Sequence, residues 1–346
     1  MALYLIHLKN SEIKRGLFME FICITGLISI VAGYIIDLII GDPYSIPHPV
    51  VAIGKLVTFC TDMLLNNNSS MMAKRRNGLI MVLIVSFACI IIPLCILYLA
   101  YRLHILAGIV IESIMCCQIL AAKSLKTEST KVETALEANN IEQARFNVSM
   151  IVGRDTANLD AEGITKAAVE TVAENSSDGV IAPLFYMLFG GAAAGFLYKG
   201  INTMDSMAGY KNEKYIDFGR AAAKFDDIVN FIPARISAFL MVISAFILGY
   251  NAKNAWKIFI RDRYKSTSPN SGQTEAVCAG ALGIELLGDA YYFGKLVKKP
   301  SIGDAIRGIE PHDIHKANNL MYCMEFLMMV FIIILRLSFY ILFVLA

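Results

Sequence analysis

The residues best equipped for chemistry crowd into one stretch, 151–235. Asp155, Glu170, Glu174, Asn175, Asp178, Asn202, Asp205, Asn212, Asp217, Asp226 and Asp227 lie there between or beside apolar runs such as VIAPLFYMLFGG. Carboxylates next to lipid-grade sequence are costly to hold and are functional suspects by default. Lys166, Glu170 and Glu174 recur every four residues, which puts them on one face of a helix. A solvated, salt-bridged face produces the same spacing. Two acids so placed repel each other, however, and this helix leads directly into apolar sequence. A divalent cation answers both points, because magnesium takes a few carboxylates together with substrate phosphates. Asp178 would continue the face, but Gly179 and the run Asn175-Ser176-Ser177 predict that the helix ends there.

Other candidates flank this face. Asp205 sits in a polar cluster with Asn202, Thr203 and Ser206 just after an apolar run. Asp226 and Asp227 point about 100° apart on a helix, so only one easily faces a given site. Lys211 and Lys214, beside Gly209, make a loop suited to anions, although neither GxxxxGK[ST] nor GxGxxG occurs. In GDPYSIPHPVVAIG the prolines hold His48 in an extended segment. That segment is either an interfacial loop or a ligand-facing one with Asp42 and His48 turned into a site. SPNSGQTEA reads as a turn and a helix start, with Ser271 or Thr274 as N-cap and backbone N–H groups an anion can use. Tyr291-Tyr292 read as packing, His104 as a turn residue, and His312 and His315 as surface histidines. With His48 the one well-placed histidine, a Ser-His-Asp triad is weakly supported.

Composition sets what must position these groups. Of 346 residues, 56% are hydrophobic and 17% charged, against about 25% charged in an average soluble domain. Mean hydropathy is +0.57. The expected fold is therefore all-α: a polytopic integral membrane helical bundle of about four to six membrane segments, some discontinuous or re-entrant. A net charge of +2 without a basic block excludes a nucleic-acid partner. The eight cysteines form no CxxC pair and read as small buried apolar residues.

Residues 1–17 read as an N-terminal extension without a cleavable signal pattern, ahead of a single membrane-embedded domain at 18–346. Apolar runs at 18–40, 79–101, 105–122 and 321–346 are the clean span candidates, with Pro93 a predicted kink. Residues 123–150 predict a pair of amphipathic helices. Lys74, Arg75 and Arg76 share a side with Lys123, Lys126, Lys131 and Arg145, which the positive-inside rule assigns to the cytoplasm. The motif-bearing regions 41–78, 123–235 and 251–320 are expected to face that compartment. The run 180–201 is broken by GGAAAG, and 231–250 carries Pro233 and Arg235 in its first half. A tight small-residue span, a re-entrant hairpin and a pair of crossings all remain open there. Discontinuous helices around a pocket open to the cytoplasm are the favoured reading.

GDPYSIPHPVVAIG, VGRDT, VAENSSDGVIAPLFY, NTMDSMAGYKNEKYIDFGRAAAKFDD, IPAR and SPNSGQTEA occur in that order. Over about residues 20–325 this resembles the integral-membrane cobalamin biosynthesis proteins of the CobD/CbiB family. The resemblance implies an adenosylcobinamide-phosphate synthase of the cell membrane. Such an enzyme joins the propionate carboxyl of adenosylcobyric acid to the amine of (R)-1-aminopropan-2-yl phosphate or ethanolamine phosphate, with ATP as co-substrate and Mg2+. Acyl-phosphate chemistry of that kind needs phosphate-binding bases and a group to take the amine proton. Under that reading Glu174, Asp178, Asp205 and His48 are catalytic candidates, and Glu170, Glu174, Asp178, Asp205 and Asp227 are candidate metal ligands. Asp42, Arg154, Asn175, Lys199, Asn202, Tyr210, Lys211, Arg220, Arg235 and Asn270 are candidate substrate-binding residues, with the corrin ring against surfaces around Tyr186 and Tyr210. Partners would be the lipid bilayer, the substrates and other corrinoid-pathway membrane enzymes.

The competing class is a non-enzymatic membrane protein, either a corrinoid binder or transporter or an AmpE-like sensor. A transporter usually carries paired half-repeats, and no internal repeat is found. AmpE-like proteins are not expected to keep the full motif set quoted above. A membrane protease or phosphatase would want a clearer nucleophile or metal signature.

Overall fold

A computed structural model describes residues 11–342 except Tyr44, Ile46, Asn67 and Lys211, with side chains from Cys23 onward. Helices dominate. α1 is Ser11–Ile39, α2 Pro49–Leu64, α3 Met71–Leu103, α4 Ile105–Ile119, α5 Ala122–Glu137, α6 Ile141–Ser149 and α7 Ala161–Asn175. A π-helical turn, Ser176–Ile181, leads into α8, Ala182–Ala208. There follow α9 (Arg220–Val229), α10 (Phe231–Ile247), α11 (Ala252–Asp262), α12 (Ser271–Leu282) and α13 (Asp313–Tyr340).

Four helical stretches are long and apolar enough to cross a membrane: Met71–Leu103, Ile105–Glu137, Ala161–Ala208 and Asp313–Tyr340. The bent pair α9–α10 makes a fifth if it is one span, and Cys23–Ile39 is apolar but shorter. The polytopic all-α bundle is therefore the observed class. Lipid offers no hydrogen bonds, so segments this apolar must satisfy their backbone internally, and helices do so.

The chain forms two compact units. Unit one comprises residues 1–120, 183–226 and 329–346, and unit two comprises 121–182 and 227–328.

In unit one, α3 and α4 form the expected tight hairpin at His104. The His104 N–H closes α3 on the Ala100 carbonyl at 3.1 Å, and its Nδ1 caps α4 by accepting from the Leu106 N–H at 3.2 Å. Helices approach closely at small residues, as is usual in lipid. A Cβ built on Gly33 would lie 2.5 Å from Cys116 Cβ, and one on Gly78 would lie 1.8 Å from the Phe218 carbonyl oxygen. α8 is kinked in its GG step, where Gly191 has φ 58°.

In unit two, α5 and α6 are the predicted amphipathic pair. Asp160 caps α7 by accepting from the Gly163 N–H at 2.8 Å, a contact worth about 1 kcal/mol. The helix does not end at Asn175 as its sequence predicts. It widens through the π turn, where Ser176 Oγ donates to the Val172 carbonyl at 2.6 Å. The turn is also held by the Ala121 N–H on the Gly179 carbonyl at 3.1 Å and by Ser237 Oγ on Ser177 Oγ at 3.1 Å. These tertiary bonds outweigh the local breaking tendency of Ser and Gly.

Between α12 and α13 lie four short strands of three residues each. β1 (Glu285–Leu287) pairs antiparallel with β4 (Ser301–Gly303), and β2 (Ala290–Tyr292) pairs with β3 (Lys295–Val297). β2 and β3 join through Phe293 and Gly294, both left-handed at φ 52° and 74°, the backbone of a two-residue hairpin. The Asp155 carboxylate accepts from both turn N–H groups, at 3.2 and 2.7 Å.

Gly78→Ala is expected to lower the thermal midpoint of the detergent-solubilised protein by several degrees, because the methyl would meet a backbone oxygen. Gly308→Ala, with nothing within 4 Å of its added Cβ, should leave the midpoint unchanged. Equal midpoints for the two variants would show that α3 does not need the close approach at Gly78.

Candidate functional site

The chemistry of unit two centres on α7. Glu170 is buried at 2% exposure and spends both oxygens. Oε2 is paired with Arg154, and Oε1 accepts the Leu287 N–H at 2.6 Å. Leu287 is left-handed at φ 59°, a conformation costly for a branched side chain, and Gly288 follows at φ 97°. Glu170 thus holds a strained step of β1 against α7 and fixes Arg154 beside it. Burial lowers the Arg154 pKa, but the Glu170 carboxylate overcomes this and holds it above its ordinary value.

Beside this pair is Glu275, 3% exposed in α12, where every residue from Gly272 to Leu282 is buried. Its Oε2 has no hydrogen-bond partner. Burial, then the fields of Glu174 and Glu170, push its carboxyl well above the usual range, with Lys299 and Arg154 opposing. A carboxyl of this kind holds its proton at pH values where exposed glutamates have lost theirs.

A cavity of about 660 Å³ opens against the same elements, lined by Arg154, Asp155, Lys166, Leu287, Gly288 and Tyr291 among others. Tyr291 is 55% exposed on its wall, so it does not serve as interior packing. Tyr292 instead bonds Lys299 Nζ through its hydroxyl at 2.8 Å.

The remaining unit-two candidates have local partners. Asn175 Nδ2 donates to the Thr171 carbonyl at 3.0 Å. Asp178 lies in the π turn. Neither Ser271 nor Thr274 caps α12: Asn270 occupies the cap position without a side-chain capping bond. Asn270 Oδ1 accepts from Arg235 at 3.0 Å, while Nδ2 donates to the Asp227 carbonyl at 3.0 Å. Three predicted binding or metal residues are therefore linked through one amide. His312 lies 3.4 Å from Glu133, and its ring stacks on His315 at 5.1 Å.

Unit one holds the other candidates. His48 Nε2 is 3.1 Å from Asp42 Oδ1, and Nδ1 accepts the Val50 N–H at 3.2 Å as the cap of α2. Of the two ring nitrogens only Nδ1 is hydrogen-bonded; the Nε2 contact with Asp42 is close but is not a hydrogen bond. Lys199, Asn202 and Asp205 lie on α8, and Asp205 Oδ1 sits where a Cβ on Gly209 would fall. Tyr210 is 36% exposed with its ring 6.5 Å from Tyr215. Tyr186 stacks on buried Tyr198 at 5.2 Å, and Arg220 opens α9 in an exposed position. Lys211 lies outside the described residues.

Among the described residues no three His, Cys, Asp or Glu side chains come together as a metal site. Glu170, Glu174, Asp178, Asp205 and Asp227 accordingly form no protein-only cage, and Glu170 is committed to Arg154 and Leu287. The site residues that sequence reasoning missed include Glu275, Glu285, Asp289 and Lys299. A glutamate directly before AVCAGALG was the available signal for Glu275, since nothing in that run is polar enough to keep the helix at a surface.

The family model for CobD/Cbib protein matches residues 30–321. The chain belongs to this family. It is 49% identical over 310 residues to a Clostridium perfringens protein named cobalamin biosynthesis protein CobD, covering 90% of this chain and 98% of that one. A Clostridium tetani protein of the same name is 44% identical, covering 88% and 96%. The cobalamin biosynthesis protein CbiB of Salmonella arizonae is 43% identical, covering 84% and 91%. No solved structure matches significantly. The matched region contains Arg154, Glu170 and Glu275, so the buried node lies within the family's own sequence.

Removing one member of a buried pair strands its partner, at a cost of about 3 kcal/mol. Glu170→Gln should therefore lower the thermal midpoint by several degrees, while exposed Glu162→Gln should not; matching midpoints would show the pair to be dispensable. Glu275 predicts the opposite sign. A folded-state carboxyl raised above its ordinary 4.5 loses stability as pH rises from that value toward the folded pKa. Melting of wild type between pH 5 and pH 8 should show this decline, and Glu275→Gln should flatten it and melt higher at the alkaline end.

Proposed function

We propose that the chain serves cobalamin biosynthesis as a membrane-embedded C–N ligase of the cell membrane. It would join the propionate carboxyl of adenosylcobyric acid to the amine of (R)-1-aminopropan-2-yl phosphate or ethanolamine phosphate, consuming ATP. The observation that carries this reading is 49% identity across nearly the full length of a relative named for cobalamin biosynthesis. The motifs GDPYSIPHPVVAIG, VGRDT and SPNSGQTEA support the finer assignment.

The proposed chemistry has two steps. A carboxylate oxygen attacks the γ-phosphorus of ATP, ADP leaves, and an acyl phosphate forms. The amine nitrogen then attacks the carbonyl carbon, phosphate leaves with the electrons of the C–O bond, and a base takes the surplus amine proton. The acyl phosphate must be kept from water until the amine arrives. Magnesium enters as the ATP complex, whose phosphates supply oxygen ligands that this ion favours. The polar elements of unit two support a ligand-handling role, with Arg154 and Lys166 bordering a cavity of about 660 Å³. The positive-inside rule, applied to Lys74, Arg75 and Arg76, supports a cytoplasmic setting for the motif-bearing loops, where ATP is available.

Membranes carrying the protein, incubated with adenosylcobyric acid, aminopropanol phosphate and Mg-ATP, should yield the amide by mass, with one ADP formed per amide. Omitting ATP should abolish it. Retained binding of adenosylcobyric acid with no amide formed would replace the ligase with a corrinoid-binding protein.

A further inference from the structure

The cavity of unit two has an unusual charge inventory once the groups used by the fold are set aside. Arg154 is tied to Glu170. Asp155 gives both oxygens to the N–H groups of the β2–β3 turn. Asp289 accepts the Lys299 N–H through Oδ1 only, at 3.2 Å. Lys166 and Glu285, both on the cavity wall, make no ion pair among the described residues. What is left facing the space is one ammonium, Lys166, and two carboxylates, Glu285 and Asp289.

That remainder selects among ligand classes. A nucleotide polyphosphate would carry three or more negative charges toward a wall whose uncommitted charge is already negative. A simple anion would leave both carboxylates unanswered, and a simple amine would leave Lys166 unanswered. A small zwitterion with a phosphate at one end and an ammonium at the other satisfies all three groups. The wall also provides a close approach for phosphate. Lys166 Nζ would lie 3.8 Å from a Cβ on Gly288, and Gly288 has none, so bare backbone at φ 97° flanks the ammonium. The apolar part of the wall, Leu159, Ala290 and Tyr291, suits the carbon segment of such a ligand and leaves room for a second reactant.

We infer that this cavity is the seat of an aminoalkyl phosphate, its phosphate at Lys166 and Gly288 and its ammonium at Glu285 and Asp289. The choice of that zwitterion rests on the ligase reading above. In this arrangement Lys166 and Glu285 are binding residues, and Arg154 acts by orienting the wall.

The test is calorimetric binding of O-phosphoethanolamine to the full chain in detergent, with inorganic phosphate, ethanolamine and a non-hydrolysable ATP analogue as comparison probes. O-phosphoethanolamine should bind at least tenfold more tightly than phosphate or ethanolamine. Lys166→Met should weaken it tenfold or more, Lys166→Arg should restore most of the loss, and Glu285→Gln should weaken it several-fold, all with wild-type thermal midpoints. Equal affinity for phosphate and O-phosphoethanolamine, or no effect of either variant, overturns the assignment. ATP-analogue binding that Lys166→Met abolishes would also overturn it and give the cavity to the nucleotide. The two readings fail separately. A Lys166→Met protein that still forms the amide with an unchanged KM for the aminoalkyl phosphate removes the subsite and keeps the ligase. Wild-type O-phosphoethanolamine binding without any amide removes the ligase and keeps the subsite.

Discussion

The buried pair of Arg154 and Glu170 is the constraint on which unit two depends. A carboxylate at 2% exposure on a helix that leads into apolar sequence is tolerable only if its charge and lone pairs are answered. Arg154 answers the charge and the Leu287 N–H answers the second oxygen. Three consequences follow in sequence. The loop after α6 is drawn onto α7, so Asp155 reaches the β2–β3 turn. β1 is held at a left-handed Leu287, which bends the chain at Gly288. The bend leaves the space against which Lys166 and Tyr291 stand. Replacing the pair with apolar residues would preserve packing volume but leave the Leu287 N–H unbonded in a buried setting.

Unit one solves a related problem without a paired charge. The GG step in α8 departs from helical geometry at Gly190 and Gly191, and in an apolar segment the carbonyl oxygens near such a break need donors that lipid does not offer. Arg336, inside the apolar sequence of α13, donates to the Met187 and Leu188 carbonyls at 3.1 and 2.7 Å. Gly191 in turn admits Glu112, whose Oε1 would lie 2.6 Å from any Cβ there. The other Glu112 oxygen accepts from the Tyr101 hydroxyl at 2.6 Å. Two ionisable residues that hydropathy alone would mark as errors are therefore part of the geometry of the kink.

The sequence made the large features legible because they rest on long-period patterns. Apolar runs of membrane length, the amphipathic pair of α5 and α6, and the turn at His104 each depend on residues close in the chain. What was hidden depends on partners far away. The π turn after Asn175 survives because Ala121 and Ser237 bond to it, and no window around Ser176 contains either. The strands are three residues each, too short to show alternation, and β3 is KLV with all residues exposed. The Asp155 carboxylate that pins the turn beside Tyr291 lies well over a hundred residues away in the chain.

The same distinction sorts the acids that first marked the chain. Many of the carboxylates in 151–235 turn out to be used by the fold. Asp155 pins a hairpin, Asp160 caps a helix, Glu170 binds Arg154, and Asp217 pairs with Arg75 at 2.9 Å. A density of acids in apolar sequence therefore measures how much polar anchoring the fold needs before it measures chemistry. Groups left without a use in the fold are the better guide, because a buried one held unanswered costs free energy that selection would otherwise remove. In unit two, half-buried Lys166 and exposed Glu285 belong to that set, and so does buried Glu275. The first two can meet a ligand from solvent. Glu275 cannot; it sits instead in the field of Glu174 and Glu170, two acids that the helical spacing singles out.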